Sequence, residues 1–259
     1  MTIHETSIIH PSSKIGDSVE IGPYCIIGKN VEIKGGNKLL SHVVIKGPTS
    51  IGSDNIFYQF STIGEDTPDK KFKGEETKLE IGNNNIFREG VTVHRGTIQD
   101  AGITKICSDN LFMAYSHIAH DCEVGNGNVF ANNAGLAGHV NIGNKVTLGA
   151  LTTVHQFCKL GDFSFVGMNT SINMDIPAYV KVAADPARVI GLNTVGMTRN
   201  DISADSISLI KKAYKLLYKK KLKIDQAIDK IKDLNHNEND PYLDIFIKSI
   251  EISERGILR

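Results

Sequence analysis

Residues 106–142 read ICSDNLFMAYSHIAHDCEVGNGNVFANNAGLAGHVNI. Every sixth position is large and apolar: Ile106, Phe112, Ile118, Val124, Phe130, Leu136 and Ile142. The step continues through Leu148, Val154, Leu160, Val166 and Ile172. Upstream, one residue out of phase, it takes in Val93, Phe87 and Ile81, and then runs from Ile63 down to Ile3 by way of Phe57, Ile51, Ile45, Leu39, Ile33, Ile27, Ile21, Ile15 and Ile9. A period of six fits neither the 3.6-residue turn of a helix nor the two-residue alternation of an amphipathic strand. It suits one short strand and one bend. Three such units close a triangular coil, and successive coils pair through their backbones at a spacing of ~4.8 Å. A single coil cannot bury its apolar face, so many coils must stack. The glycines that follow the apolar residue (Gly16, Gly22, Gly28, Gly52, Gly64) read as residues that tolerate tight corners.

The register breaks at roughly 65–80 and 99–105. Excursions from a solenoid gather on one face and often carry binding function. The first holds Asp69, Lys70, Lys71 and Lys73. After Ile176-Pro177 the hexapeptides end. From Asp201 apolar residues recur at three and four (Ile207, Ile210, Tyr214, Leu217), then again from Ile224 and from Pro241, which predicts three helices. Ser203 and Asp225 are the expected caps. The expected organisation is an all-β solenoid over 1–190, with a small α-helical domain over 191–259.

Charge is balanced, 29 basic against 29 acidic residues, so the chain carries no footprint for nucleic acid. No apolar run approaches the ~18 residues that span a bilayer. The start lacks a secretory pattern, and Cys25, Cys107, Cys122 and Cys158 form no CxxC pair. These features point to a cytoplasmic protein without a transmembrane segment. Lys211, Lys212, Lys215, Lys219, Lys220, Lys221 and Lys223 read either as a solvated helix face or as a patch for an acidic partner.

Assigning the hexapeptides in turn to three sides, counted from Ile106, puts those that begin at Ile118, Leu136, Val154 and Ile172 on one side. His120, His139 and His155 with Gln156 then stack along one wall, His94 falls one coil earlier, and His117 sits at the corner before His120. Two chemistries use such a stack: metal binding, since imidazole ligates zinc, and general base catalysis.

His117-Ile118-Ala119-His120-Asp121-Cys122, Ala131-Asn132-Asn133-Ala134, Leu136-Ala137-Gly138-His139-Val140 and Val154-His155-Gln156-Phe157-Cys158 resemble the UDP-N-acetylglucosamine O-acyltransferases of lipid A synthesis. So do Ser41-His42-Val43-Val44, Tyr58-Gln59-Phe60, His94-Arg95-Gly96-Thr97 and the ending Arg255-Gly256. The resemblance covers the whole chain. It implies a left-handed parallel β-helix, although crossovers between parallel strands are normally right-handed. It implies a homotrimer with sites between subunits, acyl carrier protein as donor, UDP-N-acetylglucosamine as acceptor, and no resident cofactor or metal. By the same resemblance His120 is the catalytic base, Asp121 orients it, and the Gly138 N–H is the oxyanion donor. Asp69, Lys71, His117, Asn132, His139, His155, Gln156, Asn193 and Arg199 are the implied substrate contacts. The related N-acyltransferase carries an N-terminal uridine-binding domain, for which repeats beginning at Ile3 leave no room.

Two positions depart from the family. Met168 stands where many members have a glycine that floors the acyl groove, so a shorter 3-hydroxyacyl donor is expected. Asn200 stands where some have a second basic residue after Arg199. Three alternatives remain: an acceptor with a 3-amino group, a trimeric zinc hydratase on the same scaffold, and an inactive scaffold that binds the carrier protein.

Overall fold

Two residues of strand are nearly all that a six-residue unit leaves once its bend is made. A computed structural model describes residues 1–259, the Asn237 side chain excepted. In it most strands are two or three residues long, such as Ile26–Ile27, His117–Ile118 and Thr153–Val154. They form three parallel walls of 11, 9 and 8 strands. The second wall runs from Ile8–Ile9 to Ser171–Ile172 and carries His117–Ile118, Gly135–Leu136 and Thr153–Val154. Undisturbed coils repeat every 18 residues, as in the pairs His117↔Gly135 and Gly135↔Thr153. The coil is left-handed, as the resemblance implied and against the general rule. Strands this short accumulate little twist, so the usual chirality preference has little to act on.

The sixth-residue apolar set from Ile21 to Ile172 is buried. Phe57, Phe87 and Phe112 stack with centroids 4.8 and 5.0 Å apart, and Phe130 meets Phe112 edge-on. Burying a side chain of this size contributes about 1.5–3 kcal/mol, repeated in every coil. One corner adds a polar ladder. Asn37, Asn55, Asn85, Asn110 and Asn128 are buried one per coil. The Oδ1 of each accepts from the backbone N–H of the equivalent residue in the next coil, the last acceptor serving Val146.

The corners bear out the expected role of glycine only in part: Gly36, Gly64, Gly90 and Gly127 turn with positive φ, but most corners turn on other residues. Non-glycine residues with positive φ include Ser18, Tyr24, Asn30, His42, Asp54, Phe60 and, further on, Tyr115, Asp121, Asn133, His139, Leu151 and Phe157. Most glycines directly after the apolar residue serve closeness instead, Gly64 with its φ of 75° excepted. A Cβ on Gly52 would lie 2.5 Å from the Gly82 carbonyl oxygen, and one on Gly125 2.5 Å from that of Gly143. There is no room for a side chain between coils.

Both interruptions leave at the same corner, where the second wall passes to the third. They span the gaps between Thr62–Glu65 and Lys78–Ile81 and between Thr92–His94 and Ile103–Ile106. The second therefore begins at Arg95, earlier than the sequence suggested. Coil pairing survives both, with Thr62↔Thr92 and Thr92↔His117 still in register.

Beyond the solenoid the first wall gains Val180–Ala183 and an antiparallel Arg188–Leu192. Four helices follow, one more than expected: α1 (Thr194–Arg199), α2 (Ala204–Tyr218), α3 (Ile224–Glu238) and α4 (Pro241–Glu251). Ser203 caps α2 as expected, its hydroxyl accepting from the Ser206 N–H. Asp225 is not a cap. It lies in the first turn of α3, where its charge suits the positive helix end, and Lys223 occupies the cap position. Asp240 caps α4 through the N–H groups of Tyr242 and Leu243. The tail then returns to the solenoid, where Asp175 Oδ2 accepts from the Ser253 hydroxyl and from the N–H groups of Glu254 and Arg255.

Candidate active site

Three successive coils build the site at the corner from which both excursions leave. Residues in equivalent positions fall into columns along the axis. His120, Gly138 and Gln156 form one column; Asp121, His139 and Phe157 form the next. The second column holds the left-handed conformation, with φ of 58°, 62° and 64°. That turn directs the Asp121 carboxylate inward, where its side chain is 1 % exposed, while the His120 side chain remains 16 % exposed.

His120 Nδ1 lies 2.8 Å from Asp121 Oδ2. A carboxylate can only accept, so Nδ1 carries the proton and Nε2 is left with its lone pair. The carboxylate is itself fixed. Oδ1 accepts from the Thr97 N–H at 2.8 Å and Oδ2 from the Thr97 hydroxyl at 2.7 Å, and the Asp121 N–H donates to Thr104 Oγ1. Burial pushes the Asp121 carboxyl up, but hydrogen bonds from His120 and Thr97 outweigh it and hold it below the usual carboxylate range. The ion is thus the resident form.

The other imidazoles stay close. His139 meets His120 edge-on at 5.1 Å and stacks on Phe157 at 4.5 Å. Its Nδ1 is 2.7 Å from Asp100 Oδ2 and its Nε2 3.8 Å from Asp121 Oδ2. His117 hydrogen-bonds Thr92 Oγ1 at 2.8 Å. It lies within a strand rather than at the corner expected from the sequence. Burial first, then the His120 charge, lowers its pKa. His94 packs edge-on against His117 at 5.1 Å, and burial, reinforced by His117, lowers its pKa to about 4. These two rings are neutral near pH 7.

The Gly138 N–H takes no acceptor within the described residues. A Cβ at Gly138 would fall 2.5 Å from His120 Cε1 and 2.7 Å from Nε2. The base and an unengaged amide donor therefore sit side by side. A cleft of about 230 Å³, lined by Asp100, Asp121, His139, Phe157 and Lys159 among others, opens on the third-wall side.

Not every expected site residue joins this cluster. His155 and Gln156 follow one coil along the axis. Asn132 and Met168 lie at the opposite edge of the second wall, two coils apart in one column, and Met168 is 68 % exposed. Asp69 and Lys71 lie in the first excursion, where Asp69 Oδ1 accepts from the Lys71 N–H. Asn193 caps α1 and Arg199 is in its last turn. Arg95, Thr97, Asp100 and Thr104 escaped the sequence as site residues. Thr97 stood inside the quoted His94–Thr97 motif, but nothing in its spacing linked it to Asp121. Buried Arg95 grips Asp66 and the Gly64 carbonyl, tying the two excursions together.

His120, Asp121 and His139 place ligand-capable atoms within 4.8 Å of one another. Zinc there would have to break the His120–Asp121 hydrogen bond and compete with two donors from Thr97, so proton transfer fits the geometry better. A left-handed solenoid of hexapeptides with a hydrogen-bonded His–Asp pair at its corner defines a hexapeptide-repeat acyltransferase. The family model "Bacterial transferase hexapeptide (six repeats)" matches residues 1–35 and 103–138. "Udp N-acetylglucosamine O-acyltransferase; Domain 2" matches residues 175–258.

Curated relatives named acyl-[acyl-carrier-protein]–UDP-N-acetylglucosamine O-acyltransferase include that of Stutzerimonas stutzeri, 47 % identical over 99 % of both chains. The protein of that name from Saccharophagus degradans is 48 % identical, also over 99 % of both. Among solved structures, UDP-N-acetylglucosamine O-acyltransferase from Moraxella catarrhalis superposes with a TM-score of 0.97 at 49 % identity over 100 % of both chains. The Francisella novicida UDP-N-acetylglucosamine acyltransferase gives 0.97 at 39 % identity, over 100 % of this chain and 94 % of that one. The chain belongs to the UDP-N-acetylglucosamine O-acyltransferase family and is an enzyme; the 3-amino acceptor, zinc hydratase and inactive-scaffold alternatives are not favoured.

Proposed function

We propose that the protein moves a 3-hydroxyacyl group from acyl carrier protein to the 3-hydroxyl of UDP-N-acetylglucosamine, with His120 as general base. The observation that carries this reading is the His120 Nδ1–Asp121 Oδ2 hydrogen bond, which leaves Nε2 as the basic nitrogen beside the Gly138 amide. Nε2 takes the proton of the sugar hydroxyl as its oxygen attacks the thioester carbonyl. The Gly138 N–H stabilises the oxyanion of the tetrahedral adduct. Collapse breaks the C–S bond, and the imidazolium returns its proton to the departing thiolate. Both substrates are held together, so no acyl-enzyme is needed. The donor arrives on the phosphopantetheine of its carrier, and the chain needs no cofactor or metal of its own.

His117, His139, His155 and Gln156 line the nucleotide-sugar path in this reading, with Asn193 and Arg199 towards the uridine and phosphates. Asp69, Lys71, Asn132 and Met168 reach the site from a neighbouring copy in a homotrimer. The exposed residues Tyr24, Phe60, Tyr115, Leu151 and Met168 along the corner between first and second walls support that assembly, since large apolar side chains exposed along one edge mark an interface. A groove between α2 and α3, lined by Lys212, Lys215, Lys220 and Lys230, suits the acidic carrier. No helix among the described residues is long and apolar enough to cross a membrane, and the four cysteines are unpaired; both fit a place in the cytoplasm.

The test is transfer from a ladder of 3-hydroxyacyl carrier proteins to UDP-N-acetylglucosamine, beside His120→Ala. Transfer that falls by about 10²–10⁴ in the variant supports the base. Transfer that survives the substitution overturns it.

A further inference from the structure

The corner holding His120 is buttressed by a segment that belongs to no coil. Between Thr92–His94 and Ile103–Ile106 the chain leaves the solenoid and returns; two of its side chains, Thr97 and Asp100, land on the catalytic corner, and Thr104 of the returning strand joins them. The Thr97 hydroxyl donates to Asp121 Oδ2 while its N–H donates to Oδ1. Thr104 Oγ1 accepts from the Asp121 N–H. Asp100 reaches His139. Thr97 is 2 % exposed and Thr104 fully buried, so neither contact is a loose surface encounter.

We propose that Thr97 is a positioning residue for the transfer reaction: it clamps both oxygens of the Asp121 carboxylate and so sets the aim and basicity of Oδ2 towards His120 Nδ1. This rests on His120 being the base. Oδ2 shares its lone pairs between the Thr97 hydroxyl and the imidazole. Removing the hydroxyl leaves the imidazole as its only hydrogen-bond donor, with His139 Nε2 3.8 Å away, so Oδ2 holds the protonated ring more strongly. The base then gains a proton at higher pH and is lost to catalysis sooner as pH falls. The hydroxyl therefore keeps the carboxylate strong enough to orient the ring without over-stabilising the imidazolium.

The groups facing His120 are few. Asp121 is at Nδ1, His139 lies edge-on at 5.1 Å with Asp100 behind it, and His117 in the same coil and His94 in the preceding one interact with its charge. Of these, the Asp121 carboxylate is the group bonded directly to the ring, and Thr97 is the residue that donates to both its oxygens.

The test compares Thr97→Val, which removes the hydroxyl and keeps the backbone N–H, with Thr97→Ser, which retains both. In Thr97→Val the acidic limb of the kcat/KM profile rises by about half to one pH unit, while KM for the nucleotide sugar stays within about twofold. Thr97→Ser restores the limb. Histidine-labelled protein gives a readout independent of turnover, because the His120 imidazole titration followed by NMR moves upward by the same amount in Thr97→Val. A limb and a titration that stay in place while thermal stability falls would make Thr97 merely structural and overturn the proposal. If the parent protein transfers nothing yet the imidazole titration moves, the clamp stands and the transferase reading fails.

Discussion

The ring of His120 occupies the space that a side chain at Gly138 would need: a Cβ there would lie 2.5 Å from Cε1 and 2.7 Å from Nε2. Gly138 has no positive φ, so its identity is set by the imidazole above it and not by backbone strain. Gly138→Ala must push the ring off the amide. The expected result is a loss of about 10²–10³ in kcat with far-UV circular dichroism and oligomer mass unchanged. Retention of full activity would show that the two groups do not act together.

If the site is shared between copies, the two halves of a broken site need not come from one chain. His120→Ala and Lys71→Ala are each expected to be inactive as pure preparations. Unfolded together and refolded, they should recover transfer in the mixed trimers, where an intact His120 faces an intact Lys71. A mixture as inactive as its parents would place both residues in one subunit's site.

Met168 projects, 68 % exposed, from the edge of the wall opposite His120. If it floors the acyl groove, as proposed, it limits chain length, though its flexible thioether can adapt. Met168→Gly is expected to shift the preferred 3-hydroxyacyl donor to a longer chain, read by competition between carrier proteins of graded length. An unchanged preference removes Met168 from that role.

The histidine stack has a signature in stability. Burial, then the neighbouring His117, holds the His94 pKa at about 4 rather than 6.5, with Glu65, His120 and Arg95 also facing it. The folded state thus binds fewer protons than the unfolded chain between those values. Stability is in full above pH 6.5 and falls as pH drops towards 4, by on the order of 2 kcal/mol after allowance for partial exposure. Urea unfolding at graded pH should show this slope, and His94→Gln should flatten it. His117, shifted in the same direction, leaves a residual slope.

Asn85 accepts from the N–H and Nδ2 of Asn110, and its own Nδ2 donates to Asn55 Oδ1 and the Cys107 carbonyl. Asn85→Leu strands these partners in the core. A loss of about 2–4 kcal/mol is expected from the unsatisfied groups, measured as a lower denaturation midpoint. A change within about 0.5 kcal/mol would mean that the ladder contributes nothing.

The solenoid was legible because its period is a property of consecutive residues: Ile106, Phe112 and Ile118 declare it without knowledge of any contact. That His120, His139 and His155 with Gln156 fall on one wall in successive coils followed by counting. Thr97, Asp100 and Thr104 were not legible, since their partners Asp121 and His139 lie 17 to 39 residues away and no period links an excursion to the coil it leans on. Glycines such as Gly22 and Gly52 were misread because closeness between coils and freedom in φ leave the same letter in a sequence. α1 is six residues long, too short to display a helical period. Asp225 failed as a cap because an acidic residue near a helix start serves equally well within the first turn.

The regular rise of the coils has a further consequence. Every side chain along an edge stands at a whole number of steps from every other, like marks on a graduated rod. Adding or deleting a complete coil would move the marks apart or together by one division of ~4.8 Å and leave each mark intact. Adding a single residue within a coil would turn every later side chain away from its column. Reach along such a rod can be reset coarsely by whole coils, and between two divisions only by the bulk of the side chain standing at a mark.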